Sequence, residues 1–316
     1  MTMFTGNSDL GVVMQFSKLV RLAQGLLWLG VLAASASAAA TAAKPATTAA
    51  AQRARSWSPP VHVVVVIEEN KSFATIIGSA DAPYINELAS QGLLFIDAHA
   101  VMHPSQPNYV ALFSGSNQGL TDDSCPRDLS GPNLESELLA KRLSFAIYSE
   151  NLPAVGYAGC TGSGGLYRRK HNPVVDWQAA GLPAALNQPF RNFPQDYSKL
   201  PTVAFVIPNM MDDMHDGTVS EGDTWLKTHL SLYVEWASRH NSLLIVTWGE
   251  SDARSLTNQI PLIIIGAGIT RGRSGQNVDH YSLLRTLEDF YGLKSLGHSS
   301  DAQLTALQPS LLGPNL

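Results

Sequence analysis

Only two cysteines, Cys125 and Cys160, stand among the 316 residues. No C-x-x-C pair or Cys/His cluster is present, which argues against a zinc knuckle. Charge is scarce too, at 15% of residues, against about a quarter in an ordinary soluble domain. Lys and Arg number 21 and Asp and Glu 26, for a net charge of −5. Without a basic stripe, nucleic acid is not an expected partner. There is no internal repeat, which sets aside solenoids and propellers. Uninterrupted apolar runs are too short for a comfortable membrane-spanning helix.

The chain is 45% hydrophobic, enough for a sizeable core. Its start differs in kind from the rest. Lys18 and Arg21 precede the apolar run Leu26-Leu27-Trp28-Leu29, and Ser35-Ala36-Ser37-Ala38-Ala39 follows. A basic n-region, a short apolar h-region and an A-x-A site read as a secretory signal over residues 1–38. Residues 39–60 are Ala/Thr/Pro-rich linker, and 61–316 form the expected functional domain. The expected location is periplasmic or secreted, with no stable membrane insertion after cleavage. In an oxidising compartment Cys125 and Cys160 most simply form one disulfide. Closing a loop of about 36 residues would contribute roughly 3–4 kcal/mol in the chain-entropy model.

Val61 to Ile67 is a continuous β-branched run broken only by His62, the pattern of a strand buried on both faces in a parallel sheet. Further strands are expected at 93–96, 145–148, 203–207, 243–248 and 262–265. Helices are expected at 83–91 before Gly92, at 133–143 with Asn133 as cap, and at 281–291 before Gly292. Another is expected from Asp223, its apolar face carrying Leu226, Leu230, Tyr233 and Ala237. This alternation gives an α/β fold with a mainly parallel sheet and helices on both faces. Three of the strands end in metal-ligand residue types. Glu68, Glu69 and Asn70 follow Ile67; Asn209, Asp212, Asp213, His215 and Asp216 follow Ile207; Glu250 and Asp252 follow Trp248. Open α/β sheets bind ligands at that edge.

Between the second strand and the next helix lies His103-Pro104-Ser105-Gln106-Pro107-Asn108-Tyr109. Pro107 suits the first position of a helix and Gly115 its end, which places Ser105 just outside a helix N-terminus. Free backbone N–H groups and the positive dipole end favour an anion there. Ser105 is thus a candidate nucleophile toward phosphate, although such a serine by itself is more often a cap. Carboxylates, an amide and His at strand ends suit a divalent cation, with no discrimination among Mg²⁺, Mn²⁺, Ca²⁺ and Zn²⁺. A cation beside Ser105 would lower its hydroxyl pKa. Arg169, Lys170 and His171, in a basic loop, would help to hold phosphate oxygens, and His103 flanks the serine.

These residues carry a resemblance. Ile67-Glu68-Glu69-Asn70, the His103–Tyr109 stretch, Lys170-His171-Asn172-Pro173, Pro208-Asn209 with Asp212–Asp216, Thr247-Trp248-Gly249-Glu250 and Asp279-His280-Tyr281-Ser282 resemble the phosphoesterase family of bacterial and fungal acid phosphatases and phospholipases C. The likeness covers about residues 61–293. It implies an alkaline-phosphatase-like, three-layer α/β/α sandwich. It implies that Glu69 and Asn70 are a metal-binding pair and that Ser105 is the hydroxyl nucleophile. Asn108 would donate to phosphate, and His171 would touch phosphate or protonate the leaving group. Asp213, His215, Asp216 and His280 match polar positions that complete the site. One departure stands out: the family usually carries two adjacent acids after the strand at 243–248, and here the first is Gly249. Glu250 then serves as ligand alone, or Asp252 substitutes.

The expected activity is hydrolysis of small phosphomonoesters through a metal-assisted phosphoserine at Ser105. The same residues would serve a phosphodiester, as in a phospholipase C, but those relatives are generally longer. Gly249 also raises a third reading, a phosphate- or metal-binding homologue impaired in catalysis.

Overall fold

A computed structural model describes residues 58–307, apart from positions 182 and 254. The expected signal segment and nearly all of the linker lie outside the described residues. In chain order the elements are β1 (His62–Glu68), α1 (Phe73–Ile76), α2 (Pro83–Gln91), β2 (Leu93–His99), α3 (Ser105–Ser114), α4 (Leu134–Ala140), β3 (Phe145–Ser149), β4 (Asn187–Pro189), β5 (Val203–Ile207), α5 (Val219–Ala237), β6 (Ser242–Trp248), β7 (Leu262–Gly266), β8 (Gly272–Asp279) and α6 (His280–Tyr291). Short 3-10 turns, among them Arg169–His171, lie between β3 and β4. Among the described residues no helix is long and apolar enough to cross a membrane.

The strands form one sheet in the order β4-β3-β5-β1-β6-β7-β2-β8. The β-branched run becomes β1, every residue of which is buried, and it sits between β5 and β6, parallel to both. β3 runs parallel to β4 and β5, and β2 parallel to β8. β7 is the exception among the described strands, antiparallel to β6 and β2. α2 packs on α5, and α3 on α4 and α6. One set covers each face of the sheet, giving the three-layer sandwich that so apolar a centre requires.

α3 is buried along all ten residues. Its sequence accordingly lacks an amphipathic period. It starts at Ser105, two residues earlier than Pro107 suggests, and ends at Gly115 with φ 72°, a left-handed cap that suits glycine. Gly115 could carry no side chain in any case, since a Cβ there would lie 1.9 Å from the Leu296 carbonyl oxygen. Beneath α3, the Phe113 ring lies 5.3 Å from Trp177 and 5.7 Å from Phe145, tying helix, loop and sheet together. Cys125 and Cys160 form the expected disulfide, with Cα atoms 5.8 Å apart.

One expectation is corrected, and one strand was not foreseen. Asp223 does not cap its own helix. α5 begins at Val219 behind Thr218, whose side chain accepts from Glu221 N in a capping box. Asp223 is buried one turn inside and accepts from Tyr84 N at 3.1 Å and Ile85 N at 2.7 Å, so it caps α2 from a neighbouring helix. Gly272–Asp279, too polar to suggest a strand, forms β8 because an edge strand needs a partner on one side only.

Replacing Asp223 with Ala orphans two N–H groups at a buried helix start. Unfolding in urea should show a loss of about 1–3 kcal/mol. The same substitution would be nearly silent if Asp223 merely faced solvent.

Candidate active site

Because β5, β1 and β6 are adjacent and parallel, their carboxyl ends open at one edge of the sheet. The three acid-bearing segments found in the sequence therefore meet. Glu69 N donates to Asp213 O at 2.7 Å, and Gly249 N donates to Glu68 O at 2.8 Å, which locks the three strand ends in register. α3 points its first residue into the same place. Ser105 is 1% exposed, and its Oγ lies 2.8 Å from Glu250 Oε1 and 3.1 Å from Glu69 Oε2. A hydroxyl has one proton, so the shorter contact makes Glu250 its acceptor. His103 Nδ1 donates to the other oxygen of Glu250.

This is a crowded set of acids. Burial pushes the Glu69 carboxyl well above the usual range, and Glu250 and Asp213 repel it further. Burial also raises Glu250, against the hydrogen bonds from His103 and Ser105. Asp213 is pushed up to about 7, chiefly by burial. Glu68 is fully buried with neither oxygen hydrogen-bonded, and burial raises it as well. Unpaired buried charge of one sign is costly and calls for a proton or a cation.

Asn70, at φ 50°, faces the pair of carboxylates. Asp216 Oδ1 accepts from His215 Nδ1 at 2.7 Å, which leaves His215 Nε2 to accept from Lys170 Nζ at 3.0 Å. One end of the Asn70 side-chain amide stands 3.1 Å from Glu69 Oε2 and 3.2 Å from Glu250 Oε1, and the other end 3.2 Å from His215 Nε2. Were its oxygen turned toward the carboxylates, three acceptor oxygens would confront one another beside the Ser105 hydroxyl, an arrangement that only a bound cation would favour. Without a cation the amide would turn over and donate to both carboxylates. With one, the spacing is apt: oxygens bound at right angles about 2.1 Å from a hard divalent ion lie about 3.0 Å apart. Among the described residues no three His, Cys, Asp or Glu side chains are grouped to hold a metal. The groups that do converge are the carboxylates of Glu69 and Glu250, the Asn70 amide and the Ser105 hydroxyl.

Gly249 explains itself here. A Cβ at this position would fall 2.0 Å from Glu69 Oε1 and 2.8 Å from a Tyr109 ring carbon. The space that an acid would need is taken by Glu69 and Tyr109, so the change at 249 comes with an inward Glu69.

Other expected residues are placed as follows. His171 is buried, stacked on Tyr109 with centroids 4.9 Å apart; its Nδ1 lies 3.1 Å from Asp213 Oδ2 and its Nε2 3.8 Å from Glu69 Oε1. Burial holds its pKa well below the usual value, so it is neutral. It buttresses Glu69 and Asp213 and is 2% exposed, a poor position for touching a leaving group. His280 donates through Nε2 to the Trp248 carbonyl at 3.0 Å and stands apart from the carboxylate cluster. Asp252 is within electrostatic reach of Lys71. Asn108 spends its amide on the preceding loop: Oδ1 accepts from Val101 N and Met102 N, and Nδ2 donates to the Met102 and Pro104 carbonyls. It holds the serine loop and has no donor left for phosphate. Arg169 is likewise consumed, bound to Asp176 and to the carbonyls of Ala158, Arg127 and Val175. Lys170 is the cation of that loop which faces the site. Asp123 was not foreseen: it accepts from both Lys170 Nζ and Gln106 N at 2.9 Å. The Asp122-Asp123 pair ahead of Cys125 is the only sequence signal for it.

A buried serine at a helix N-terminus, set among carboxylates at the ends of parallel strands, defines a hydrolase-type α/β site. The sequence profile of the Phosphoesterase family matches residues 78–294, and the chain belongs to that family of phosphoric ester hydrolases. It is 46% identical over 287 residues to a phosphatidylinositol-3-phosphatase of Mycobacterium tuberculosis, covering 90% of this chain and 93% of that one. It is 31% identical over 228 residues to a phosphate-repressible acid phosphatase of Penicillium chrysogenum, covering 67% of this chain and 55% of that one. The chain thus spans about half the length of its fungal match. Among solved structures, a phosphonate monoester hydrolase of Agrobacterium radiobacter superposes with TM-score 0.52 at 13% identity, covering 80% of this chain and 77% of that one. A protein in the alkaline phosphatase superfamily from Vibrio parahaemolyticus gives 0.51 at 13% identity, covering 78% and 71%. These likenesses establish the alkaline-phosphatase-like fold.

Two outcomes are expected. Gly249→Ala should displace Glu69 or Tyr109, lowering stability by about 1–3 kcal/mol in urea unfolding and cutting kcat/KM by roughly ten-fold or more. In chelator, stability should fall as pH rises. Folded Asp213 keeps its proton up to about 7, while an unfolded Asp loses it near 4. The folded chain therefore binds more protons in that window, and its advantage is lost as pH climbs through it. Urea midpoints at pH 4.5 and 7 would show this, and Asp213→Asn should flatten the difference.

Proposed function

We propose that the chain is an exported phosphatase that hydrolyses phosphomonoesters through a phosphoserine at Ser105. The observation that carries this reading is the buried Ser105 hydroxyl, first residue of α3, held 2.8 Å from Glu250 and 3.1 Å from Glu69. Glu250, whose proton affinity burial has raised, takes the hydroxyl proton as Oγ attacks phosphorus. The bond from phosphorus to the ester oxygen breaks, and the departing oxygen takes a proton from water. A water molecule then attacks the phosphoserine, Glu250 returns its proton to Oγ, and inorganic phosphate leaves. Phosphoryl oxygens lie between Lys170 and the Gln106 backbone N–H at the α3 N-terminus, where charge-assisted bonds are strongest.

Glu69 and Asn70 would hold a divalent cation, which lowers the pKa of the serine hydroxyl and offsets phosphate charge when bound, while Glu250 Oε1 stays available for the hydroxyl proton. Asp213 and His171 keep Glu69 in place, and His103 and Asp216 orient Glu250 and His215. Export rests on the basic, apolar and A-x-A order of residues 1–38 and on the Cys125–Cys160 disulfide, which belongs to an oxidising compartment. The strongly similar mycobacterial relative is named for a phosphoinositide, so the headgroup phosphate of such a lipid stands among the candidate monoesters.

Ser105→Ala should lower turnover of 4-nitrophenyl phosphate by at least about a thousand-fold while leaving the thermal midpoint and circular dichroism close to those of the parent. Parent-like turnover in that variant would remove Ser105 from the nucleophile's role.

A further inference from the structure

The anion-binding end of α3 already carries an anion. Gln106, second residue of the helix, donates its backbone N–H to Asp123 Oδ1 at 2.9 Å. Asp123 Oδ2 accepts from Lys170 Nζ, also at 2.9 Å. These donors are the pair to which the phosphoryl oxygens were assigned above, and the inference rests on that assignment. A carboxylate and a phosphoryl group both present closely spaced oxygens on one central atom, so Asp123 stands where a phosphate would.

The arrangement is built rather than incidental. Asp123 lies two residues before Cys125, and the disulfide ties its loop to Cys160. The Cys160 carbonyl accepts from Arg169 N at 3.0 Å, immediately before Lys170. One covalent clip thus holds both partners of the ion pair. The Asp123 side chain remains 28% exposed, and with Lys170, Arg168 and His215 it lines an open cleft of about 350 Å³. A ligand in the cleft reaches it directly.

We propose that Asp123 is a specificity-determining residue: an internal competitor for the phosphate position, which selects dianionic phosphomonoesters over monoanionic phosphodiesters. To bind, a substrate must take Lys170 and the Gln106 N–H from a carboxylate. A monoanion exchanges one negative charge for another and gains little. A dianion brings a second charge to the same ammonium and helix end, and displaces the carboxylate. Specificity here comes from what the weaker competitor fails to displace.

Asp123→Asn is nearly isosteric and keeps an oxygen for Gln106 N–H, but loses the charge that holds Lys170. Calorimetric titration of inorganic phosphate into Ser105→Ala protein, with and without Asp123→Asn, reads the subsite free of turnover. Binding should tighten roughly three- to ten-fold on adding Asp123→Asn. In the Ser105 background, the ratio of kcat/KM for 4-nitrophenyl phosphate over bis(4-nitrophenyl) phosphate should fall about ten-fold, because the diester gains more. Unchanged or weaker phosphate binding would overturn the proposal and leave Asp123 as a support for Lys170. Lys170→Ala provides the separating control. If it leaves phosphate binding unaltered, the phosphoryl group lies elsewhere and the competitor role falls with that assignment, whereas the nucleophile is judged independently by turnover of Ser105→Ala.

Discussion

Negative charge packed into buried space governs this site. Glu68, Glu69, Asp213 and Glu250 are drawn together because three parallel strands end side by side. Taking one carboxylate out of water is costly, and each further one raises the cost by repulsion. Lys170 answers part of that excess, and the rest is left for a proton or a bound cation. The Ser105 hydroxyl sits at the centre of this unsatisfied demand, within hydrogen-bond reach of two of these carboxylates.

A less visible set of contacts makes the arrangement rigid. Asn108 knots the loop ahead of the serine with four hydrogen bonds. Arg169 gathers carbonyls from three segments, and its partner Asp176 also accepts from Gln106 Nε2 at 3.2 Å. Burial lifts Asp176 to about 6, against the pull of that guanidinium. Such groups lie outside the carboxylate cluster, yet the placement of Ser105 within a fraction of an ångström depends on them.

Much of this was legible in the residues. Continuous β-branched runs have one comfortable home, a strand covered on both faces, and the polar residues that end them mark the ligand edge. Asn133, Asp279, Gly115 and Gly292 announce helix ends because their roles are local. What escaped depends on distant partners. Asp223 looks like a cap and is one, but for a helix that begins 140 or so residues earlier in the chain, and the Thr218/Glu221 box was the better local sign. β8 is polar because it lies at an edge. Asn108 and Arg169 have the right chemistry for phosphate, and only their surroundings reveal that their hydrogen bonds are spent. Gly249 read as a lost acid, since no local pattern tells that a neighbouring strand has filled its space.

The antiparallel β7 has a wider consequence. In a parallel sheet, a chain leaving the ligand edge must cross a face and return from the far side. Here the connection from β6 turns straight back into β7, so both its ends are fixed at the site. Ser251 N donates to Asn258 Oδ1, and Asn258 Nδ2 donates to Met102 O, which stitches that connection to the serine loop. Between these stitches Leu256 is fully exposed. The rim beside Glu250 is thus a hairpin that can lengthen, shorten or change composition without disturbing any helix–sheet contact. Divergence in what the site admits, among proteins that keep its chemistry, has an inexpensive place to accumulate.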